Sequence, residues 1–381
     1  MKQIQIKEKV RVNIREKYKD LFKAWVGKDC SAQHRFVNLD DRVVMAFDGD
    51  PVLQSFDEGK SWGVYEGPLS WPKMSNRGIF KFDNVWVSLD ASHLLYSLNA
   101  GKTWLDPVPI PTPDSEYFRG LGQPNCFSAI KTRRGLLVMV ADNFLGQEGP
   151  DGQLISATVS ADAGRTWKVS RLFGPAPPLP NGPEGFGEPA VVELPSQWLW
   201  MVMRSLYGEL WQSISRDGGL SWNDPTPTGL VSPIANCYAA RDPFTAATVL
   251  CFNHTIPGLG QNFQSAESVY RPRNNLVFMV SHDNCRTWTC PVTVDAGGAF
   301  YPTLHFSEKT MFVMYQSNKD ETEPWAKHGL TLVTYDRKEV NAIPEWTAET
   351  IQPYIEAGLV RHWLALGCHR PTKEAIESWI S

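Results

Sequence analysis

A chain of 381 residues, 42% of them apolar, is long enough to bury a large core or to fold as two domains. Its net charge of −4 gives no reason to expect nucleic acid or an anionic membrane surface as a partner, so any anionic ligand must be met by a local arginine cluster. Seven cysteines, an odd number without framework or zinc-site spacing, read as free thiols.

The first residues, MKQIQIKEKVRV, lack the apolar core of a signal peptide, and no apolar run approaches a membrane span. These features predict a cytoplasmic protein, or a secreted one whose leader was removed before residue 1.

Residues 1–32 are mixed and charged. Within them IQIKEKVRVNI alternates like a strand and EKYKDLFKAWV reads as a short helix. From 33 to 346, short apolar or alternating runs fall into groups of four. The first group is HRFVNL, RVVMAF, PVLQSF and SWGVYE; the second RGIFKF, NVWVSL, HLLYSL and TWLDPV. The third is CFSAIKT, LLVMVA, LISATVS and TWKVSRLF; the fourth EPAVVEL, WLWMVMR, ELWQSIS and SWNDPTP. The fifth is CYAARD, ATVLCF, LVFMVS and TWTCPVTV, and the sixth has three runs, YPTLHF, TMFVMY and LTLVTY.

One phrase, S-x-D-x-G-x-[ST]-W, recurs between the third and fourth runs of groups one to five: SFDEGKSW, SLNAGKTW, SADAGRTW, SRDGGLSW and SHDNCRTW. The Asp accepts backbone N–H groups a few residues on, and Gly supplies positive φ. The hydroxyl residue starts a strand, and the Trp wedges between neighbouring repeats. Asn99 replaces the Asp in one copy and is expected to tolerate the turn. Cys285 replaces the Gly in another and is expected to strain or alter it.

Six four-stranded units arranged radially make an all-β, six-bladed β-propeller. VRVNI is the expected fourth strand of the sixth unit, closing the ring. After residue 346, TAETIQPYIEAGLVRHWLALG and PTKEAIESWIS read as helices, so 347–381 is a short helical tail capping the propeller, with Trp363 and Leu366 in its core.

In such a ring the innermost strands start at one rim, and the second-to-third-strand loops open on that rim. The repeated turns lie on the other. The strand starts are Arg35, Arg77, Asn125, Glu188, Asn236 and Tyr301. The loops add Asp48, Asp50, Asn143, Arg204, His254, Arg273 and Lys319. Loops of blades three, five and six are long, which is where binding usually sits.

The stretch GFGEPAVVELPSQWLWMVMRSLYGELWQSISRDGGLSW resembles the middle of a sialidase (neuraminidase), with Glu188 at a strand start and Arg204 ending the next strand. RNNLVFMVSHDNCRTW resembles the strand carrying the family's third arginine, at Arg273. GGAFYPTL resembles its tyrosine motif, at Tyr301. MFVMYQ resembles the following strand, with Gln316 where Glu is usual. The repeated phrase resembles the family's Asp box. The first arginine falls on Arg35 in HRFVNL, without the Ile-Pro that usually follows, and the loop DGD puts the catalytic acid at Asp50 or Asp48. A rival alignment on CFSAIKTRRG puts Asn125 at the arginine; Arg35 is preferred because chain order and blade count agree.

The resemblance implies an exo-acting, retaining glycoside hydrolase working on a glycan that ends in an acidic sugar, without cofactor or metal. Arg35, Arg204 and Arg273 would grip the sugar carboxylate. Tyr301 would be the nucleophile, since a phenol avoids repulsion by a carboxylate on the anomeric carbon. Glu188 would take its proton, and Asp50 would protonate the leaving oxygen. Two alternatives stay open. One is a uronate-specific lyase or hydrolase, with the phenol abstracting the C5 proton in the lyase case. The other is a non-catalytic propeller that binds glycans or proteins.

Overall fold

The computed structural model describes residues 4–13, 17, 34–38, 42–47, 50–65, 78–89, 93–109, 125–144, 153–173, 186–205, 207–256, 273–317 and 329–361. They build six antiparallel four-stranded sheets. Blade one holds β2 (His34–Asn38), β3 (Val43–Phe47), β4 (Asp50–Ser55) and β5 (Gly63–Val64). Blade two holds β6 (Gly78–Phe82), β7 (Val85–Leu89), β8 (His93–Ser97) and β9 (Val108–Pro109). Blade three holds β10 (Asn125–Lys131), β11 (Leu137–Phe144), β12 (Gln153–Ser160) and β13 (Lys168–Phe173). Blade four holds β14 (Phe186–Glu193), β15 (Leu199–Ser205), β16 (Glu209–Ser215) and β17 (Thr226–Val231). Blade five holds β18 (Tyr238–Arg241), β19 (Thr248–Asn253), β20 (Leu276–Ser281) and β21 (Val292–Asp295).

Blade six takes three strands from late in the chain and one from its beginning. β22 (Ala299–Phe306), β23 (Thr310–Ser317) and β24 (Gly329–Asp336) are followed outward by β1 (Glu8–Asn13), which pairs antiparallel with β24. Arg11 on β1 donates to the Tyr315 hydroxyl at 2.6 Å, and that hydroxyl donates to Asp295 at 2.6 Å. One arginine thus ties the N-terminal strand to blades five and six.

Apolar side chains fill the spaces between neighbouring blades. Val202, Leu210, Phe252 and Met279 pack between blades four and five; Val249, Phe278, Val313 and Tyr335 pack between five and six. Sheet faces that turn toward each other must both be apolar, which is why β15, β19 and β23 are unbroken buried runs, Ser317 at the end of β23 excepted. Blades six and one meet through Met314, Leu332, Met45 and Trp62.

The repeated turns share one hydrogen-bond pattern. In blade one Ser55 Oγ donates to Asp57 and accepts the Gly59 N–H, each at 2.8 Å. Asp57 also accepts the Ser61 N–H at 2.9 Å and its hydroxyl at 2.6 Å. The Asn99 copy keeps the pattern, its amide donating to the Thr103 hydroxyl. So does the Cys285 copy: Cys285 takes φ 59° and its N–H still meets Ser281 Oγ at 2.9 Å. The turn therefore keeps its hydrogen bonds and accepts a strained residue.

The fourth strands start later than the sequence suggests, at Val108, Lys168, Thr226 and Val292 in blades two to five. In three of the five copies the tryptophan is part of the turn, not of the strand: its indole N–H folds back onto the carbonyl of the turn glycine, at 3.2 Å for Trp62, 2.9 Å for Trp167 and 3.1 Å for Trp222, whereas Trp104 Nε1 makes no such bond.

Among the described residues, two short helices follow the last strand. The first, Arg337–Asn341, replaces what the sequence suggested was still propeller, and Asp336 caps it by accepting the Lys338 N–H. The second, Ala348–Glu356, begins in a Thr347–Thr350 capping box. It ends earlier than expected, because Gly358 at φ 71° turns the chain out of the helix. Residues 359–361 then run along β17, with Val360 bridging Leu230. Apart from Lys17, which is helical, the expected helix EKYKDLFKAWV lies outside the described residues, as do PTKEAIESWIS, Trp363 and Leu366.

Candidate active site

Each innermost strand is the inner edge of its sheet, so a proline there costs no ladder hydrogen bond on the open side. β14 and β22 each carry one, Pro189 and Pro302, directly after Glu188 and Tyr301. Both strands slip register at that point, between Gly187 and Ala190 and between Phe300 and Thr303. Glu188 takes φ 45° and Tyr301 φ 52°. The other non-glycine residues at positive φ lie in turns or just ahead of a strand, among the described residues. Holding such a residue inside a strand costs about 1–3 kcal/mol, and a bulge re-aims its side chain.

Arg204, near the end of β15, pairs across the ladder with Gly187. Its Nη1 donates to Glu188 Oε2 at 2.6 Å, and both side chains are 7% exposed. Arg273 stands ahead of β20. Its Nη2 donates to the Ile234 carbonyl at 3.0 Å, and its guanidinium carbon lies 5.7 Å from the centre of the Tyr301 ring. Arg273 lies close enough to pull the Tyr301 phenol pKa down, against the larger rise from burial. The backbone binds the same two segments, the Ala299 N–H donating to the Arg273 carbonyl at 3.1 Å. Asn253, fully buried on β19, donates to the Ala299 carbonyl at 2.7 Å and the Asn274 carbonyl at 3.0 Å.

Blades four, five and six therefore bring Glu188, Arg204, Arg273 and Tyr301 into one cluster, each of them where an innermost strand begins or a second-to-third-strand connection lies. Burial raises the Tyr301 phenol above its ordinary value of 10, the Glu188 carboxylate raises it further, and Arg273 and Arg204 oppose the rise. The phenol is protonated at neutral pH and needs a base to attack anything. Cys237 adjoins the same pair of charges; burial first, then Glu188, pushes its thiol up to about 12, so it is no nucleophile.

Of the other sequence candidates, Arg35 is the second residue of β2, opposite Ala46, and Asp50 opens β4, opposite Phe47. Asn125 opens β10, opposite Asp142. The side chains of these three, and all of Asp48, Arg77 and Lys319, lie outside the described residues, and so does the Asn143 side chain. Arg204 and Asp50 prove to be strand residues, not loop residues, because the blade-one and blade-four connections are short. His254 is not on an open rim. It is 1% exposed, its Nε2 meets the Leu359 carbonyl at 2.9 Å, and its ring stacks on Tyr354. Burial lowers its pKa to about 4, keeping it neutral. Asn253 and the Ile234 carbonyl escaped the sequence reading. Among the described residues no group of three or more His, Cys, Asp or Glu could hold a metal, and no helix is long and apolar enough to cross a membrane.

The BNR repeat-like domain family matches residues 79–314, more than half of the chain. The chain belongs to this family. Several solved structures share the fold of this BNR-repeat protein. A protein of unknown function from Dyadobacter fermentans is 16% identical with a TM-score of 0.56, over 81% of this chain and 96% of its own. A mutant of Trypanosoma rangeli sialidase displaying trans-sialidase activity is 15% identical with a TM-score of 0.54, over 85% of this chain and 56% of its own. A Hadza microbial sialidase is 16% identical with a TM-score of 0.50, over 82% and 65%. This chain thus spans little more than half of the trypanosomal sialidase. A comparison with curated proteins finds no match. The fold shared with these sialidases is a six-bladed ring of four-stranded sheets, here with five copies of the repeated turn.

Proposed function

We propose that the protein is an exo-acting glycoside hydrolase that removes a terminal acidic sugar, a sialic acid, with retention of configuration. One observation carries this reading. A protonated phenol, two guanidinium groups and a carboxylate from three blades meet in one cluster, Glu188 and Arg204 buried and Arg273 and Tyr301 half-buried, with Tyr301 and Glu188 both held on strained bulges.

Arg204 and Arg273 grip the sugar carboxylate, each already oriented by a protein acceptor, Glu188 or the Ile234 carbonyl. Tyr301 Oη attacks the anomeric carbon while Glu188 takes the phenolic proton. The glycosidic bond breaks, and Asp50 protonates the leaving oxygen. Asp50 then takes a proton from water, whose oxygen attacks the anomeric carbon and breaks its bond to Tyr301, and Glu188 returns the proton to the phenolate. Arg35 completes the clamp. The roles of Arg35 and Asp50 rest on their strand positions in blade one and on the sialidase-like order of motifs.

A fluorogenic sialoside tests the proposal. The protein should release the fluorophore, and Tyr301→Phe and Glu188→Gln should each cut turnover by about 100-fold or more. A product that absorbs in the near ultraviolet from a uronate polymer would point instead to a lyase. An unchanged rate in Tyr301→Phe would refute the role of the phenol.

A further inference from the structure

Asn236 stands two residues ahead of β18, the innermost strand of blade five, between the blades that carry Glu188 and Tyr301. It is 9% exposed. Its side-chain amide makes no hydrogen bond to any described residue. Both sides of it belong to the cluster. Two residues earlier the Ile234 carbonyl holds Arg273, and the next residue, Cys237, lies in the field of Glu188 and Arg204.

The alternation along β18 gives its direction. Cys237 and Ala239 pack into the core between blades four and five, while Tyr238 and Ala240 pack against the core between five and six. Asn236 continues the second set, toward β22 and Tyr301. The amide therefore stays open to solvent and to an occupant of the site, with no described protein group taking up its hydrogen bonds. Sites built to hydrogen-bond a substrate keep such groups for the substrate.

We infer that Asn236 is a substrate-contacting residue whose amide N–H donates to the acidic group of the sugar held by Arg204 and Arg273. Its amide oxygen accepts from a neighbouring sugar hydroxyl. A neutral donor here adds a hydrogen bond without a further charge. The inference rests on the proposed acidic-sugar site.

The test measures kcat and KM on a fluorogenic sialoside. It also measures Kd for N-acetylneuraminic acid and for glucuronic acid by calorimetry, in the wild type, Asn236→Ala and Asn236→Asp. Asn236→Ala should raise KM, and Kd for the bound sugar, by about tenfold, and Asn236→Asp by more, because it sets like charges together. kcat should change less than KM. Tm should not fall, since the amide makes no hydrogen bond to a described residue. Wild-type KM and Kd in both variants would overturn the inference and leave the hydrolase proposal standing, as would a Tm loss that tracks the loss of binding. A wild type that binds an acidic sugar through Asn236 but hydrolyses no sialoside supports the inference and sinks the hydrolase. A wild type that binds neither sugar overturns both.

Discussion

Gly59 and Cys285 occupy the same place in two copies of one turn, and they show what that place demands. Positive φ does not by itself require glycine, since Cys285 holds φ 59° at a cost of about 1–2 kcal/mol. Gly59 has a second constraint. A Cβ there would clash with the Phe312 ring of blade six. Gly135, at the same φ of 80°, has open space. Gly135→Ala should therefore cost about 1 kcal/mol, and Gly59→Ala about 3 kcal/mol, the excess being overpacking at the seam between blades one and six. Urea unfolding of the two variants checks this; equal losses would contradict it. The same scale limits what could be read beforehand. Pro189 and Pro302 stand in inner-strand runs and signal the bulges beside them. Asn253 reads in the sequence only as part of an Asn-His-Thr sequon, and its two carbonyl partners appear only once blade five is folded.

At the scale of elements, the C-terminal segment is bound to blade four by a buried carboxyl. Glu209 on β16 is 5% exposed and accepts the Gly229 N–H at 3.1 Å, with Arg361 Nε at 3.7 Å. Burial raises its pKa from 4.5 to about 7, against the pull of Arg361 and the Gly229 hydrogen bond. Between those pH values the folded chain holds a proton that the unfolded chain has lost. The stability from this group is full below its unfolded pKa and fades as pH rises through the folded one. Relative to Glu209→Gln, the wild type should lose on the order of 1–3 kcal/mol between pH 5 and pH 8. Melting curves of the two proteins across that range measure it, and parallel curves would argue against it. Strand groupings were legible because a period of two and a turn phrase mark them. The start of the fourth strands was not, because the pattern cannot tell a tryptophan tucked under a turn from one in a strand. The early helix end was not either, since Gly358 interrupts an apolar pattern that continues past it.

For the whole molecule, five copies of the turn count five blades, and the ring closes where no copy exists. There β1 joins β24 from the far end of the sequence, and Glu58 of the first turn bonds Ser307 of blade six. Closure holds blade six in place, and with it Tyr301, against the blades that carry Arg273, Glu188 and Arg204. A propeller suits the proposed chemistry because blades four, five and six each contribute one or two polar groups to one cluster while the apolar seams hold them still. The chain order of Glu188, Arg204, Arg273 and Tyr301 was legible as a resemblance to sialidases; their mutual contacts were not, since they depend on which blades are neighbours. The central claim is that Tyr301 forms the bond to the sugar. Incubation with a 2,3-difluorinated sialic acid, followed by proteolysis and mass spectrometry, tests it directly. The account predicts a single sugar adduct on the peptide carrying Tyr301, absent in Tyr301→Phe; an unlabelled protein, or an adduct on another residue, would contradict it.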